Sequence, residues 1–252
     1  MVDLSKRSGV LLVLAGASLA FGSAHGQVNI RFNDYNGGAT ADPAYSFVAA
    51  GNAGVATPVQ GFAGIGVGSN QFSGNLFRNT EANPTIGSGG TFSNLPLGGS
   101  LSFSFLFAAI DSWDGLGAGG PDRFELVVNG ATVYSTSIDN FPGPATSTNG
   151  GTLLSSGSNL GFGPAFDSAW DFTNVAGLQN IGYAGTTVTY AFRATGEGWS
   201  GGEDESWGTE NFRVNLTVPV VTAVPEPETY ALMLAGLGAL GFVARRRKHK
   251  QS

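Results

Sequence analysis

Residues 100–110 read SLSFSFLFAAI, and this stretch decides which fold the chain can adopt. Alternate positions from 101 to 107 carry Leu, Phe, Phe and Phe, so an extended strand would place these four side chains on one face. Leu106 and Ala108 make the opposite face apolar as well. Because a strand that is apolar on both faces must be covered on both sides, the stretch predicts a central strand of a sheet.

Other segments on either side of this strand also read as strands. Residues 187–194 and 212–218 alternate apolar and polar positions, as half-buried strands do. Residues 123–128 and 131–136 flank Asn129-Gly130, a pair that accepts the positive φ angles of a type I′ turn. A β-hairpin is therefore predicted between them.

The wider pattern predicts an all-β protein. The chain contains 40 glycines, and no apolar run at helical spacing occurs between residues 28 and 212. Residues 143–163, rich in Gly, Ser and Asn, predict a long surface loop. Two antiparallel sheets packed as a β-sandwich or jelly roll fit this pattern. A β-helix is the alternative, and the absence of a fixed-period repeat disfavours it.

The ends of the chain read as export signals around one domain. Lys6 and Arg7 precede an apolar run over residues 9–21, and the small residues before Gln27 suit a signal peptidase. We predict a signal peptide at 1–26, an uncleaved N-terminal anchor being the alternative. A β-sandwich domain at 27–218 and a linker at 219–224 follow.

The C-terminal segment, residues 225–250, has three ordered parts. Pro225, Glu226 and Pro227 cannot continue a strand, and a helix can begin at Pro227. Residues 230–244 are uncharged, and as a helix they span only about 22 Å, which predicts a short transmembrane helix. The basic tail at 245–250 follows and would stop transfer on the cytoplasmic side. Its charged residues are Arg245, Arg246, Arg247, Lys248 and Lys250.

This arrangement resembles the PEP-CTERM sorting signal of Gram-negative bacterial surface proteins. The resemblance implies that Pro225, Glu226 and Pro227 form the recognition unit and that Arg245 to Lys248 form the membrane stop. It further implies transient insertion in the inner membrane, cleavage by an exosortase-type membrane protease, and release to the cell surface or an extracellular polysaccharide matrix. An ordinary single-span anchor is the alternative.

Composition excludes several classes of site. The predicted domain carries five arginines, no lysine and fifteen acidic residues, so its net charge is about −10. Such a surface repels phosphate backbones, and nucleic acid is not an expected partner. The chain has no cysteine, and its two histidines, His25 and His249, lie outside the predicted domain. Serine–histidine and cysteine–histidine catalysis, disulfides and Cys/His zinc sites are therefore not expected there.

Two acidic, glycine-rich loops are the candidate metal site. Hard cations such as Ca²⁺ take six to eight oxygen ligands, which carboxylates on flexible loops can supply. The alternatives are acids that only solvate the loops, or Asp204 or Glu205 paired with Arg193 or Arg213. The candidate calcium ligands are Asp111, Asp114, Asp122, Glu203, Asp204 and Glu205.

Trp113, Trp199 and Trp207 occur in the same two loops. An indole face beside carboxylates suits a sugar ring, so these side chains are candidates for glycan stacking, packing in the core being the alternative. We expect an exported, non-catalytic protein of the cell surface or matrix, either associated with polysaccharide or purely structural. A glycan hydrolase that uses loop carboxylates is the competing hypothesis.

Overall fold

The structure is a computed structural model that describes residues 25–115, 120–140, 144–219 and 227–248. His25–Pro219 forms one compact unit made of strands and two short 3₁₀ turns, Gln60–Phe62 and Ala176–Leu178. The strands are β1 His25–Asn33, β2 Ala39–Ala41, β3 Ser46–Gly51, β4 Val55–Pro58, β5 Gly66–Val67, β6 Asn70–Gln71, β7 Asn75–Asn79, β8 Ser88–Ser93, β9 Ser100–Asp111, β10 Arg123–Val128, β11 Ala131–Asp139, β12 Thr146–Ser147, β13 Thr152–Ser158, β14 Asp167–Asp171, β15 Ile181–Gly182, β16 Val188–Thr195 and β17 Glu205–Pro219.

Two antiparallel sheets form the sandwich. The first has the order β13-β14-β9-β17-β1-β2, with β15 also paired to β9, β7 paired to β17, and β4 paired to β7. The second has the order β12-β11-β10-β16-β8-β3. Because aromatic side chains from the two sheets interleave in one core, the prediction of an all-β sandwich is confirmed.

The central-strand prediction for residues 100–110 is confirmed as well. Strand β9 lies between β14 and β17 in the first sheet, and every residue from 101 to 111 is buried. Phe103, Phe105 and Phe107 point into the core between the sheets. Leu106 and Ile110 point the other way, into a second cluster that also contains Phe62, Phe72 and Leu76. Each face of the strand therefore has its own apolar cover.

The predicted hairpin joins β10 and β11 in the second sheet. Asn129 and Gly130 both have positive φ, 49° and 82°, as the type I′ turn requires.

Replacing Gly130 with alanine should lower the free energy of unfolding by about 1 kcal/mol, because a side chain at this positive φ is strained. A Cβ at Gly130 would meet no atom within 4 Å, so the cost comes from the backbone and not from a clash. Urea denaturation measures it. Gly182→Ala is the control, since a Cβ there also meets nothing and its φ is not positive. Equal losses for the two variants would contradict the turn assignment.

The prediction of a long surface loop at 143–163 is wrong. Thr146–Ser147 pairs with β11, and Thr152–Ser158 pairs antiparallel with β14. Strand β13 lies at the edge of its sheet and is largely exposed, so it needs no apolar face. A strand held mainly by main-chain hydrogen bonds leaves little signal in the side chains.

Strands β1 and β17 begin and end the compact unit at His25 and Pro219. His25 and Gly26 belong to β1 and pair with Pro219 and Val218 of β17. Two residues assigned to the signal peptide and the first residue of the predicted linker therefore lie in strands. The rest of both segments, residues 1–24 and 220–224, lies outside the described residues.

Among the described residues there is one α-helix, α1 Pro227–Lys248, which follows β17 in the sequence. It begins at the predicted Pro227, and Arg245 to Lys248 form its last turn, while Pro225 and Glu226 lie outside the described residues. The described part of the chain contains no helix that is both long and apolar enough to cross a bilayer. The predicted membrane segment, residues 230–244, lies within α1.

Candidate functional site

The two acidic loops meet at Asp114, Asp122 and Glu205. One carboxylate oxygen from each of Asp114, Asp122 and Glu205 lies within 4.8 Å of the other two. Asp114 and Asp122 come from the segment between β9 and β10, and Glu205 is the first residue of β17. We call these three residues the acidic cluster. The structure thus brings together three of the six predicted ligands.

Main-chain amides hold the acidic cluster in place. The N–H of Asp114 donates to Asp122 Oδ2 at 2.6 Å, and the N–H of Ser200 donates to Glu205 Oε2 at 2.6 Å. Asp122 is fully buried and Glu205 is 3% exposed, while Asp114 is half-buried. Asp122 Oδ1 is also buried and accepts no hydrogen bond from any described residue.

Burial changes the proton affinity of the cluster. Burial, opposed by the hydrogen bond from the N–H of Ser200 and aided by the charge on Asp122, raises the pKa of Glu205 to about 7. Burial also raises the pKa of Asp122, and the hydrogen bond from the N–H of Asp114 opposes that rise. Two adjacent carboxylates with raised pKa values indicate a site that favours a proton or a cation over two bare negative charges.

Two glycines allow the loops to come this close. A Cβ on Gly196, where φ is 151°, would collide with the carbonyl oxygen of Pro121. A Cβ on Gly120 would lie 2.8 Å from the amide nitrogen of Asp122 and closer still to the carbonyl oxygen of Asp114. Only glycine fits at either position without a shift of the backbone.

The other three predicted ligands are not members of the acidic cluster. Asp111 is buried at the end of β9, where its Oδ1 accepts the N–H of Ala165 at 3.0 Å. Glu203 is exposed and lies 3.5 Å from Arg78. Asp204 Oδ1 accepts a hydrogen bond from the hydroxyl of Ser112 at 3.3 Å. Of these three contacts, the one between Asp204 and Ser112 joins the two acidic loops.

Arg193 forms an ion pair, but with an acid other than the predicted Asp204 or Glu205. Arg193 lies 2.8 Å from Glu125 on the neighbouring strand β10, and no ion pair joins Arg193 or Arg213 to Asp204 or Glu205. Register across the sheet, which places Glu125 directly opposite Arg193, decides the partner.

The three candidate tryptophans are core residues. Trp113, Trp199 and Trp207 are 0%, 8% and 2% exposed, so most of each ring is covered by the protein. Trp113 and Trp199 pack edge to face with their centroids 5.1 Å apart. Trp113 Nε1 donates to the carbonyl oxygen of Ser206 at 2.8 Å. The structure favours the packing alternative over glycan stacking for these side chains.

Two further acids, Asp167 and Glu210, are buried, and neither was among the predicted site residues. Asp167 of β14 accepts the N–H of Asp111 at 2.8 Å and the N–H of Leu160 at 2.5 Å. Glu210 of β17 is fully buried, and both of its carboxylate oxygens accept the N–H of Ser73 at 2.9 Å. Burial raises the pKa of Glu210 to about 7, against the effect of these hydrogen bonds. Nothing in the local sequence distinguishes these acids from solvated ones.

A cleft opens between the two sheets. Its volume is about 330 Å³, and its walls come from β1, β7 and β17 of the first sheet and from β3, β8 and β16 of the second. The rings of Tyr35 and Phe77 lie 5.6 Å apart, and those of Phe77 and Trp207 lie 5.5 Å apart. We call this the aromatic cleft.

Polar groups lie among the rings of the aromatic cleft. The guanidinium of Arg31 lies over the ring of Phe47, 3.9 Å from its centroid. Asn33, Asn52 and Thr209 add neutral hydrogen-bonding groups to the lining. The residues of the cleft come from six strands that are distant along the chain, so no local sequence pattern reveals the site.

The fold and these two sites define an antiparallel β-sandwich domain followed by a C-terminal sorting segment. Residues 223–248 match the family model described as the PEP-CTERM protein-sorting motif. The motif indicates an exported protein that exosortase processes at a membrane and sorts to the surface. This confirms the resemblance drawn from Pro225, Glu226, Pro227 and the basic tail.

Comparison of the chain with curated proteins and solved structures does not indicate a function. No curated protein matches the chain. Among solved structures, the chain is similar to one described as the crystal structure of the Agl-KA catalytic domain, with 14% identity and a TM-score of 0.30. The match covers 82% of this chain and 30% of the Agl-KA chain. This chain therefore spans less than a third of the length of the solved structure. No activity is inferred from a likeness at this level.

Proposed function

We propose that the exported domain is a non-catalytic component of the cell surface or extracellular matrix that binds polysaccharide in the aromatic cleft. The observation that carries the proposal is the position of Arg31. Its guanidinium stacks on Phe47 in the cleft and makes no hydrogen bond or ion pair with any residue that the structure describes. A guanidinium offers five donors, and a ligand rich in oxygen can satisfy them.

The remaining lining suits a sugar. Tyr35, Phe47 and Phe77 are only half-buried, so parts of their rings can contact the apolar C–H face of a pyranose. Asn33 and Asn52 can each donate to and accept from hydroxyl groups. This combination of a few polar groups with aromatic walls is typical of small-molecule sites.

The residues of the cleft favour binding over turnover. Glycoside hydrolysis generally uses two carboxylates on either side of the scissile bond. The described lining of the cleft is aromatic, aliphatic or neutral polar apart from Arg31. The acidic cluster does contain three carboxyl groups, but those of Asp122 and Glu205 are buried, where a polysaccharide does not reach them.

Replacing Arg31 with glutamine should weaken polysaccharide binding by roughly 10- to 100-fold, because charged hydrogen bonds contribute about 1.5–3 kcal/mol each. The measurement is affinity electrophoresis of the exported protein, purified from its native host, in gels containing that host's extracellular polysaccharide. Arg213→Gln is the matched control. Arg213 stacks on Phe32 with its guanidinium 4.9 Å from the ring centroid and does not line the cleft.

Equal retardation of the two variants would contradict the proposed site, and no retardation of the wild type would favour a purely structural protein. The hydrolase alternative is tested in the same samples by measuring release of reducing ends. Release that Glu205→Gln abolishes in a folded protein would replace the binding proposal with the catalytic one.

A further inference from the structure

We propose that the acidic cluster binds one Ca²⁺ ion, which fastens the segment between β9 and β10 to the start of β17. The ligands are carboxylate oxygens of Asp114, Asp122 and Glu205. Two oxygens bound to one calcium ion at 2.3–2.6 Å can be at most roughly 5 Å apart. The observed spacing, within 4.8 Å for all three pairs, fits a single ion.

The unpaired oxygen of Asp122 is the second observation that points to a ligand. Asp122 is fully buried among the cluster residues, and its Oδ1 accepts no hydrogen bond in the described structure while the carboxylates are ionised. The side chain of Glu205 can hydrogen-bond to Asp122 only when one of the two carboxyl groups carries a proton. A buried carboxylate oxygen without a partner is costly, so native proteins rarely leave one. A cation held by the cluster would supply the missing partner.

No side-chain cation of the described residues neutralises the acidic cluster. Arg78 pairs with the exposed Glu203, and Arg193 pairs with Glu125, so neither forms an ion pair with Asp114, Asp122 or Glu205. Three carboxylates in so small a space repel one another unless a proton or a metal ion lies between them. A divalent cation offsets this repulsion and ties two segments that are far apart in sequence.

The donor set selects the kind of metal. All three side chains offer hard oxygen atoms, which suit Ca²⁺ and Mg²⁺ and not the softer transition metals. The ligands come from Gly-rich segments, including Gly115 and Gly120, that can add main-chain carbonyls. Calcium accepts six to eight oxygens in irregular geometry, whereas magnesium demands a near-ideal octahedron and keeps several waters. The buried cluster therefore fits calcium better.

Thermal unfolding of the full exported protein tests the proposal, in excess chelator and in excess calcium. At a free calcium concentration a hundred times the Kd, the folding equilibrium constant should rise about 100-fold. For a domain of this size that raises Tm by roughly 5–10 °C. Asp122→Asn should lose the shift, and Asp204→Asn, which alters a neighbouring acid outside the cluster, should keep it.

An unchanged Tm for the wild type in calcium would overturn the proposal, as would a full shift in Asp122→Asn or an equal shift with magnesium alone. If Asp122→Asn does not fold, terbium luminescence of the wild type decides. Excitation of tryptophan should sensitise bound terbium, because Trp113 is next to Asp114 in the chain. Calcium should then displace the signal, and a wild type without a sensitised, calcium-sensitive signal would equally overturn the proposal.

Discussion

Replacing Phe107 with alanine is expected to lower the free energy of unfolding by about 3–5 kcal/mol. Phe107 is fully buried at the centre of β9, and its ring centroid lies 4.5 Å from that of Phe124 and 5.0 Å from that of Phe172. These partners come from opposite sheets, since Phe124 belongs to β10 and Phe172 follows β14. Truncation therefore opens a cavity where the two sheets meet.

Chemical denaturation followed by tryptophan fluorescence measures this loss, because the ring of Trp113 lies 6.0 Å from that of Phe107. Val48→Ala is the control, since Val48 lies on the edge strand β3 and is 68% exposed. It should change stability by no more than about 0.5 kcal/mol. A loss below about 1 kcal/mol for Phe107→Ala would contradict the packing of the two sheets described above.

The second large effect is a dependence of stability on pH that Glu210→Gln should remove. The pKa of Glu210 rises from its ordinary value of 4.5 to about 7 in the folded domain. Between these two values the folded state holds a proton that the unfolded state has released. Its stabilising contribution is therefore full below pH 4.5 and is lost as pH rises through 7. The total is on the order of 3 kcal/mol.

The measurement is the free energy of unfolding of wild type and Glu210→Gln from pH 4.5 to 8, in chelator. Because the amide does not ionise, the variant should become steadily more stable relative to wild type as pH rises, and the difference should level off above pH 7. Glu197→Gln, at an exposed glutamate, is the control and should run parallel to wild type. If the free energy of unfolding of Glu210→Gln ran parallel to that of wild type over this pH range, the prediction would be wrong.

The regular part of the fold was predictable from the sequence because its signals are local. Alternation in residues 100–110 predicted strand β9, and the hairpin followed from the preference of Asn129-Gly130 for positive φ. Strand β13 was missed for the opposite reason. Its pairing with β14 uses main-chain hydrogen bonds at an exposed sheet edge, and residues 152–158 carry no apolar stripe that would reveal it.

The candidate site could be predicted only as far as the two loops. Six acids were candidates, and the sequence could not show which side chains point toward one another. The pairing of β17 with β9 sets Glu205 opposite Asp111, yet the carboxylate of Glu205 groups with those of Asp114 and Asp122. That grouping depends on side-chain direction and on close approach at Gly120 and Gly196, which are properties of the folded chain.

The sequence by itself determined the destination of the protein and its class of fold. Both depend on contiguous residues: the PEP-CTERM motif at residues 223–248 and the period-two alternation of single strands. Only the tertiary structure decided that Trp113, Trp199 and Trp207 fill the core, that Glu210 is buried, and that a cleft opens beside Arg31. Burial and proximity arise from register between strands far apart in sequence, and no local pattern of side chains encodes them.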